Sequence, residues 1–220
     1  CVWCRAITAF ISHHVCQTVT TCTQVVATLE QHSACVWQPI KQKMNTMNPD
    51  LAELKQHLHL CLQREVMKSD KPFAWRRVWR AYRHFPERRF YFWWRLASYW
   101  YHSDNERTRK RALRINEKLR ARYGLDIKLG AHIGAGLRVS HYVGIVISQR
   151  SVIGENLHIK QNVTIGVKSL KQKGGVHIGD NVDIGANSCI IGDDLHIGSH
   201  VTIGAMSFIN KNIPDHCTVY

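Results

Sequence analysis

From Ile127 to Ile209 an aliphatic residue returns every six positions, often followed by glycine, as in VTIG, VDIG and LHIG. Neither an α-helix nor an alternating strand has that period. Stacked hexapeptide coils do: two inward side chains per unit make a short strand, and the remaining residues turn a corner. The leading residues are Ile127, Ile133, Val139 and Ile145, then Ile153, Ile159 and Ile165, then Ile178, Ile184 and Ile190, then Ile197, Ile203 and Ile209. Steps longer than six fall at 145→153, 165→178 and 190→197. The fifth position of the unit is small or aliphatic as well (Leu137, Val143, Leu157, Val163, Val182, Ser188, Val201, Ser207).

Three units close one triangular coil, so counting leaders in threes sorts them onto faces. One face carries Ile127, Ile145, Ile165, Ile190 and Ile209; the second Ile133, Ile153, Ile178 and Ile197; the third Val139, Ile159, Ile184 and Ile203. The long step after Ile165 must leave the coil as a loop, Gly166 to Gly175, bearing Lys168, Lys171 and Lys173. Two positions after each leader of the third face, the column reads His141, Gln161, Ala186, Ala205. That is a reactive side chain followed by small ones, a groove in which a long ligand could lie. Asp126 falls at the same corner as His141, and a carboxylate beside an imidazole fixes its tautomer and supports its charge as it takes a proton. The other histidines of the repeats (His132, His158, His177, His196, His200) read as outward surface residues, and no metal site is expected.

The chain before the repeats differs in character. Net charge is +14 over 220 residues, and residues 71–123 hold sixteen Lys and Arg against four Asp and Glu. This stretch interleaves basic and aromatic residues in two or three helices, broken near Pro86 and near Ser103–Asp104. Two readings stay open. The aromatics form a helix–helix core with the arginines solvated, or the surface makes a peripheral contact with an anionic membrane or glycan. No nucleic-acid-binding module is present, and no nucleic-acid partner is expected. Residues 49–67 read as a helix, with Leu51, Leu54, Leu58 and Leu62 on one stripe and Asn48 and Pro49 at its start. Gly124 suits the end of the last helix.

Residues 1–43 mix Cys, His, Thr and Trp without periodicity. The spacing of Cys1, Cys4, His13, His14 and Cys16 fits no standard zinc module. The segment reads as a non-native or disordered extension, with a natural start at Met44 or Met47. The domains expected are therefore this extension, an α-helical basic and aromatic domain over 44–123, and a β-helix over 124–220. The eight cysteines show no pairing pattern, which suits free thiols in a reducing compartment. No apolar run reaches the ~18 residues a membrane span needs, and the N-terminus lacks the plan of a signal peptide. The expected location is cytoplasmic, with the inner membrane face as the place of any peripheral contact.

LDIKLGAHIGAGLRVSHYVGIVIS, IKQNVTIG and VDIGANS resemble the serine acetyltransferase branch of the hexapeptide-repeat acyltransferases, over about residues 125–220. The resemblance implies a fold that is mainly β, a left-handed parallel β-helix preceded by a small helical domain. It implies acetyl-coenzyme A as co-substrate, with no metal, and a homotrimer, or a dimer of trimers, with active sites between neighbouring β-helices. The family's catalytic pair falls on Asp126 and His141. Its coenzyme-contacting positions fall on Gln161, Gly166, Ala186, Gly204, Ala205 and Lys211, with Lys168 on the loop that covers the coenzyme.

Three departures bear on the acceptor. Ser140 stands where serine-specific members carry aspartate, Gly174-Gly175-Val176 replaces their Arg-His-Pro, and the sequence ends at Val219-Tyr220, before their Gly-x-Pro-Ala. The expected activity is O-acetyl transfer from acetyl-coenzyme A to a hydroxyl. A surface-polysaccharide sugar or its precursor is the preferred acceptor, and L-serine the alternative. A non-catalytic trimeric scaffold is a third reading, against which the Asp126–His141 pair speaks.

Overall fold

The computed structural model describes residues 51–169 and 174–220. The readings made on residues 1–43, on Asn48 and Pro49, and on Lys171 and Lys173 lie outside these. Residues 50–220 form one compact unit.

Among the described residues four α-helices precede the strands: α1 (Leu51–Cys61), α2 (Trp75–His84), α3 (Arg89–Tyr101) and α4 (Glu106–Tyr123). Leu58 and Leu62 of the predicted stripe are buried, while Leu51 at its start is exposed. After Cys61 the helix widens into a π-turn over Leu62–Met67, which ends where Lys68 turns left-handed and donates its N–H to Gln63 O at 2.9 Å. The wider turn brings Leu62, Glu65, Val66 and Met67 all into the interior. A 3₁₀ turn at Pro86–Arg88 separates α2 from α3. Asn105 caps α4 through Oδ1, which accepts from Arg107 N at 2.9 Å and Thr108 N at 3.4 Å. Gly124 ends α4 at φ +67°, a conformation that costs glycine little. The aromatics of α3 are core: Phe90 and Trp94 are fully buried, and Trp94 Nε1 donates to Ile127 O at 3.4 Å. Among the described residues no helix is long and apolar enough to cross a membrane.

Fourteen short strands then wind as a left-handed parallel β-helix with three sheets. The first sheet stacks β1 (Asp126–Ile127), β4 (Val146–Ile147), β7 (Thr164–Gly166), β10 (Cys189–Ile191) and β13 (Phe208–Ile209). The second stacks β2 (His132–Ile133), β5 (Ser151–Ile153), β8 (Val176–Ile178) and β11 (Leu195–Ile197). The third stacks β3 (Arg138–Ser140), β6 (His158–Lys160), β9 (Asp183–Ile184), β12 (Thr202–Ile203) and β14 (Thr218–Val219). Inward isoleucines such as Ile127, Ile159, Ile165 and Ile184 are fully buried, each worth about 1.5–3 kcal/mol relative to exposure.

One expectation needs correction. Strand pairing places Ile147, not Ile145, between Ile127 and Ile165. Ile147 is thus the leader of its unit, and Ile145 takes the fifth position. Both are fully buried, whereas Val143, expected inside, is 66% exposed. The long step therefore runs from Val139 to Ile147, and the two extra residues belong to the corner that holds His141.

A buried ion pair joins the helices to the coils. Arg95 on α3 meets Glu65 through Nε–Oε2 at 2.9 Å and Nη2–Oε1 at 2.6 Å. Arg95 also donates to Ile133 O at 2.6 Å and Gly134 O at 2.7 Å. Glu65 Oε1 accepts from Gly136 N at 3.0 Å and Leu137 N at 2.9 Å. Burial works to lower the Arg95 pKa, but the Glu65 carboxylate outweighs it and holds the guanidinium above its ordinary value.

Candidate active site

The corner between the third and first sheets is regular in the later coils. Asn162 N donates to Val143 O, Asn187 N to Gln161 O and Met206 N to Ala186 O, at 2.8–3.0 Å. Val143, Gln161, Ala186 and Ala205 therefore stack, and Val143, not His141, heads the column. Each later corner has one left-handed residue, at Asn162, Asn187 and Met206. The first has two, His141 at φ +62° and Gly144 at φ +75°. The second left-handed residue is how the chain absorbs its two-residue insertion. The result lifts His141 out of the coil, where its side chain is exposed and makes no hydrogen bond or ion pair.

Tyr142 holds the bulge in place. Its ring packs 5.2 Å from Phe90 and 5.1 Å from Tyr123, and its hydroxyl donates to Glu87 O at 2.9 Å. Burial pushes the Tyr142 phenol well above its ordinary range. The sequence reading missed this anchor. Its signal was a lone aromatic among the small and aliphatic residues of the repeat.

Asp126 is at the same corner: Gly144 N donates to Gly124 O at 2.7 Å and Asp126 N to Ile145 O at 2.7 Å. Its carboxylate does not hydrogen-bond to His141. Oδ2 pairs with Lys128 Nζ at 2.8 Å and lies 4.0 Å from Arg120 Nη1. Oδ1 is buried and has no hydrogen-bond partner. One acceptor of the carboxylate is thus uncommitted at the corner that displays the imidazole.

The small-residue edge runs on from there. Gln161 and Ala186 are half-buried and Ala205 exposed. Gly204 N donates to Val219 O at 2.7 Å, and the Tyr220 ring covers the site a Cβ would fill. Gly204 is therefore packed beneath the last residues. Gly166 closes β7 of the first sheet, and Lys168 and Lys211 lie past that sheet, at the next corner. A Cβ on Gly166 would meet nothing within 4 Å, so its backbone faces open space. Asp193 Oδ1 anchors the loop by accepting from Lys168 N at 3.1 Å and Ser169 N at 3.3 Å. Lys168 and Lys211 are exposed.

His177 and His196 stack on the second sheet with ring centroids 4.6 Å apart and planes 12° apart, beside Asp194. A metal sits in the plane of the imidazole that binds it, so two parallel rings this far apart do not address one ion.

No family model matches the chain. It is 40% identical over 55 residues to a chloroplastic serine acetyltransferase of Arabidopsis thaliana, covering 25% of this chain and 18% of that one. It is 46% identical over 46 residues to a plasmid-borne serine acetyltransferase of Synechococcus elongatus, covering 21% and 14%. Among solved structures, serine acetyltransferase of Neisseria gonorrhoeae in complex with serine matches at 26% identity and TM-score 0.58, over 76% of this chain and 66% of that one. Over these stretches the chain is similar to serine acetyltransferases. Isoform 3 of Entamoeba histolytica in complex with cysteine agrees, at 27% identity and TM-score 0.57 over 76% and 58%. The chain spans about a fifth of the length of the first curated relative. All four of these proteins are named for serine.

Proposed function

We propose that the chain is an acetyl-coenzyme A-dependent O-acetyltransferase, with His141 as general base and L-serine, or a hydroxyl amino acid like it, as acceptor. The observation that carries the reading is the insertion at the first corner. It exposes one unpaired imidazole at the corner that also holds Asp126, whose Oδ1 is buried without a hydrogen-bond partner. The relatives carry the acceptor: they are serine acetyltransferases, which favours the amino acid over the sugar that Ser140 and Gly174-Gly175-Val176 first suggested.

His141 takes the proton of the acceptor hydroxyl as its oxygen attacks the thioester carbonyl. The tetrahedral intermediate collapses, the C–S bond breaks, and the thiolate leaves with the proton from the imidazolium. Asp126 holds the imidazolium through Oδ1. Gln161, Ala186 and Ala205 form an edge narrow enough for the pantetheine arm, and Gly166 offers an unobstructed backbone. Lys168 and Lys211 suit the coenzyme's phosphates, while Gly204 supports the edge from beneath Tyr220. The exposed, one-sided site suits a homotrimer in which a neighbouring β-helix closes it.

Thiol release from acetyl-coenzyme A, followed with L-serine and with a de-O-acetylated glycan, tests the reading. Turnover with serine is expected, and His141→Ala should lower kcat by ~10²–10⁴-fold. Turnover with glycan alone overturns the acceptor; an unchanged rate in His141→Ala overturns the base.

A further inference from the structure

A second group of reactive residues starts at Ser140, the residue before His141, and runs along the outer face of the third sheet. Ser140 Oγ is 2.9 Å from His158 Nε2, and His158 Nδ1 is 2.7 Å from Asp183 Oδ2. The three belong to β3, β6 and β9, which stack as successive neighbours with His158 between Arg138 and Asp183 in register. Lys160 Nζ lies 3.3 Å from Asp183 Oδ1. Burial works to raise the Asp183 pKa, but the hydrogen bond and charge of His158, then those of Lys160, hold the carboxyl below its usual range. An ionised carboxylate can only accept, so Nδ1 carries a proton, and in the neutral imidazole Nε2 then presents its lone pair to the Ser140 hydroxyl. A hydroxyl, a base and an oriented carboxylate in that order activate a nucleophile.

The surroundings suit a substrate. Ser140 and His158 line a cleft of about 1010 Å³ between the π-turn and the third sheet, together with Lys68, Tyr91 and Arg138. The Arg138 guanidinium has no carboxylate partner among the described residues. Asp70 also lines the cleft and Glu65 is taken up by Arg95, but Arg64, Lys68 and Arg138 leave the lining cationic on balance, which favours an anionic ligand.

We propose that Ser140, His158 and Asp183 form a second reactive centre, separate from His141, at which Ser140 takes an acyl group from an ester bearing an anionic group. The Ser140 proton passes to His158 Nε2 as Oγ attacks the ester carbonyl. The intermediate collapses, the ester C–O bond breaks, and the leaving alkoxide takes the proton from the imidazolium. Water, deprotonated by His158, then attacks the acyl-serine, releases the acid and restores the hydroxyl. The sum is ester plus water to acid plus alcohol, with no further reactant.

The full chain, treated with a fluorescent fluorophosphonate and mapped by peptide mass spectrometry, tests this. Labelling should fall on Ser140, vanish in Ser140→Ala, and slow by ~10²-fold or more in His158→Ala and Asp183→Asn, the usual worth of an acid–base group. An unlabelled wild type, a label elsewhere, or Asp183→Asn labelling at the wild-type rate overturns the proposal. Should Ser140→Ala not fold, Ser140→Cys gives a thiol whose alkylation must slow when His158 is also replaced; an equal rate overturns the proposal too. Wild-type hydrolysis of 4-nitrophenyl hemisuccinate should exceed that of the neutral acetate by about tenfold, and Arg138→Gln should erase the difference; equal wild-type rates overturn the anionic assignment. His141→Ala separates the two readings: it should lose thiol release and still label at Ser140.

Discussion

Replacing Glu65 by alanine tests what holds the helices to the β-helix. The side chains of Arg95 and Glu65 are 4% and 1% exposed, so the change leaves a guanidinium buried without its counter-charge. Breaking such a pair costs about 3–5 kcal/mol. Gly136 N and Leu137 N also lose their acceptor, at about 1–3 kcal/mol for each buried donor left unmade. Gly136 is near enough to solvent for water to offset part of this, so the total should be about 5 kcal/mol. For a chain of this size that is about 10–20 °C in Tm. The double replacement Glu65→Leu, Arg95→Met refines the test. A buried ion pair exchanged for apolar residues is often neutral or stabilising. Here the pair also serves Ile133 O, Gly134 O, Gly136 N and Leu137 N, which leucine and methionine cannot. The double variant should therefore stay about 3–5 kcal/mol below wild type, yet well above the sum of the single losses. Urea and thermal unfolding at one protein concentration and pH 7 measure all of these. A loss under ~1 kcal/mol in Glu65→Ala, or a double variant as stable as wild type, refutes the reasoning.

Three further outcomes follow from particular groups. Asp183 has a folded pKa held below its ordinary 3.8, so its contribution to stability is present above that value and is lost as pH falls through the folded pKa. Asp183→Asn should flatten the stability–pH curve in that acid window, and an unchanged curve in urea titrations contradicts it. Cys61 is fully buried, and burial pushes its thiol up to about 12; it should resist iodoacetamide at pH 8 in the native protein and react after unfolding, as intact-mass analysis will show. Gly144 sits at φ +75°, where a Cβ would meet Asn162 Oδ1. Gly144→Ala should cost about 1–3 kcal/mol by thermal melt and slow thiol release by displacing His141; a wild-type melt and rate would show that this corner tolerates a side chain.

What the repeat dictates was legible, and what interrupts it was not. Sorting the leaders by threes put Ile165, Ile190 and Ile209 on one sheet and Ile159, Ile184 and Ile203 on another, as the strands pair. The error arose at Gly144-Ile-Val-Ile147, where two isoleucines two apart both point inward and are both fully buried. Either satisfies the pattern; only the pairing of Ile147 with Ile165 decides between them. Glu65, on the π-turn, and Arg95, on α3, lie thirty residues apart on separate elements, so no period relates them. The one trace was an arginine in the middle of an aromatic run. His158 and Asp183 were within reach, since each precedes a leader of the third face, but reading the outward histidines one by one hid what lay above and below them. A closed hexapeptide coil pairs its backbone with its own neighbours and fills its interior with its own side chains. It presents a flat wall with nowhere to hold a substrate. A site on such a fold has to come from a departure: the two residues that lift His141, the loop after Gly166, the π-turn that walls the Ser140 cleft. In this chain chemistry is to be sought where the period fails.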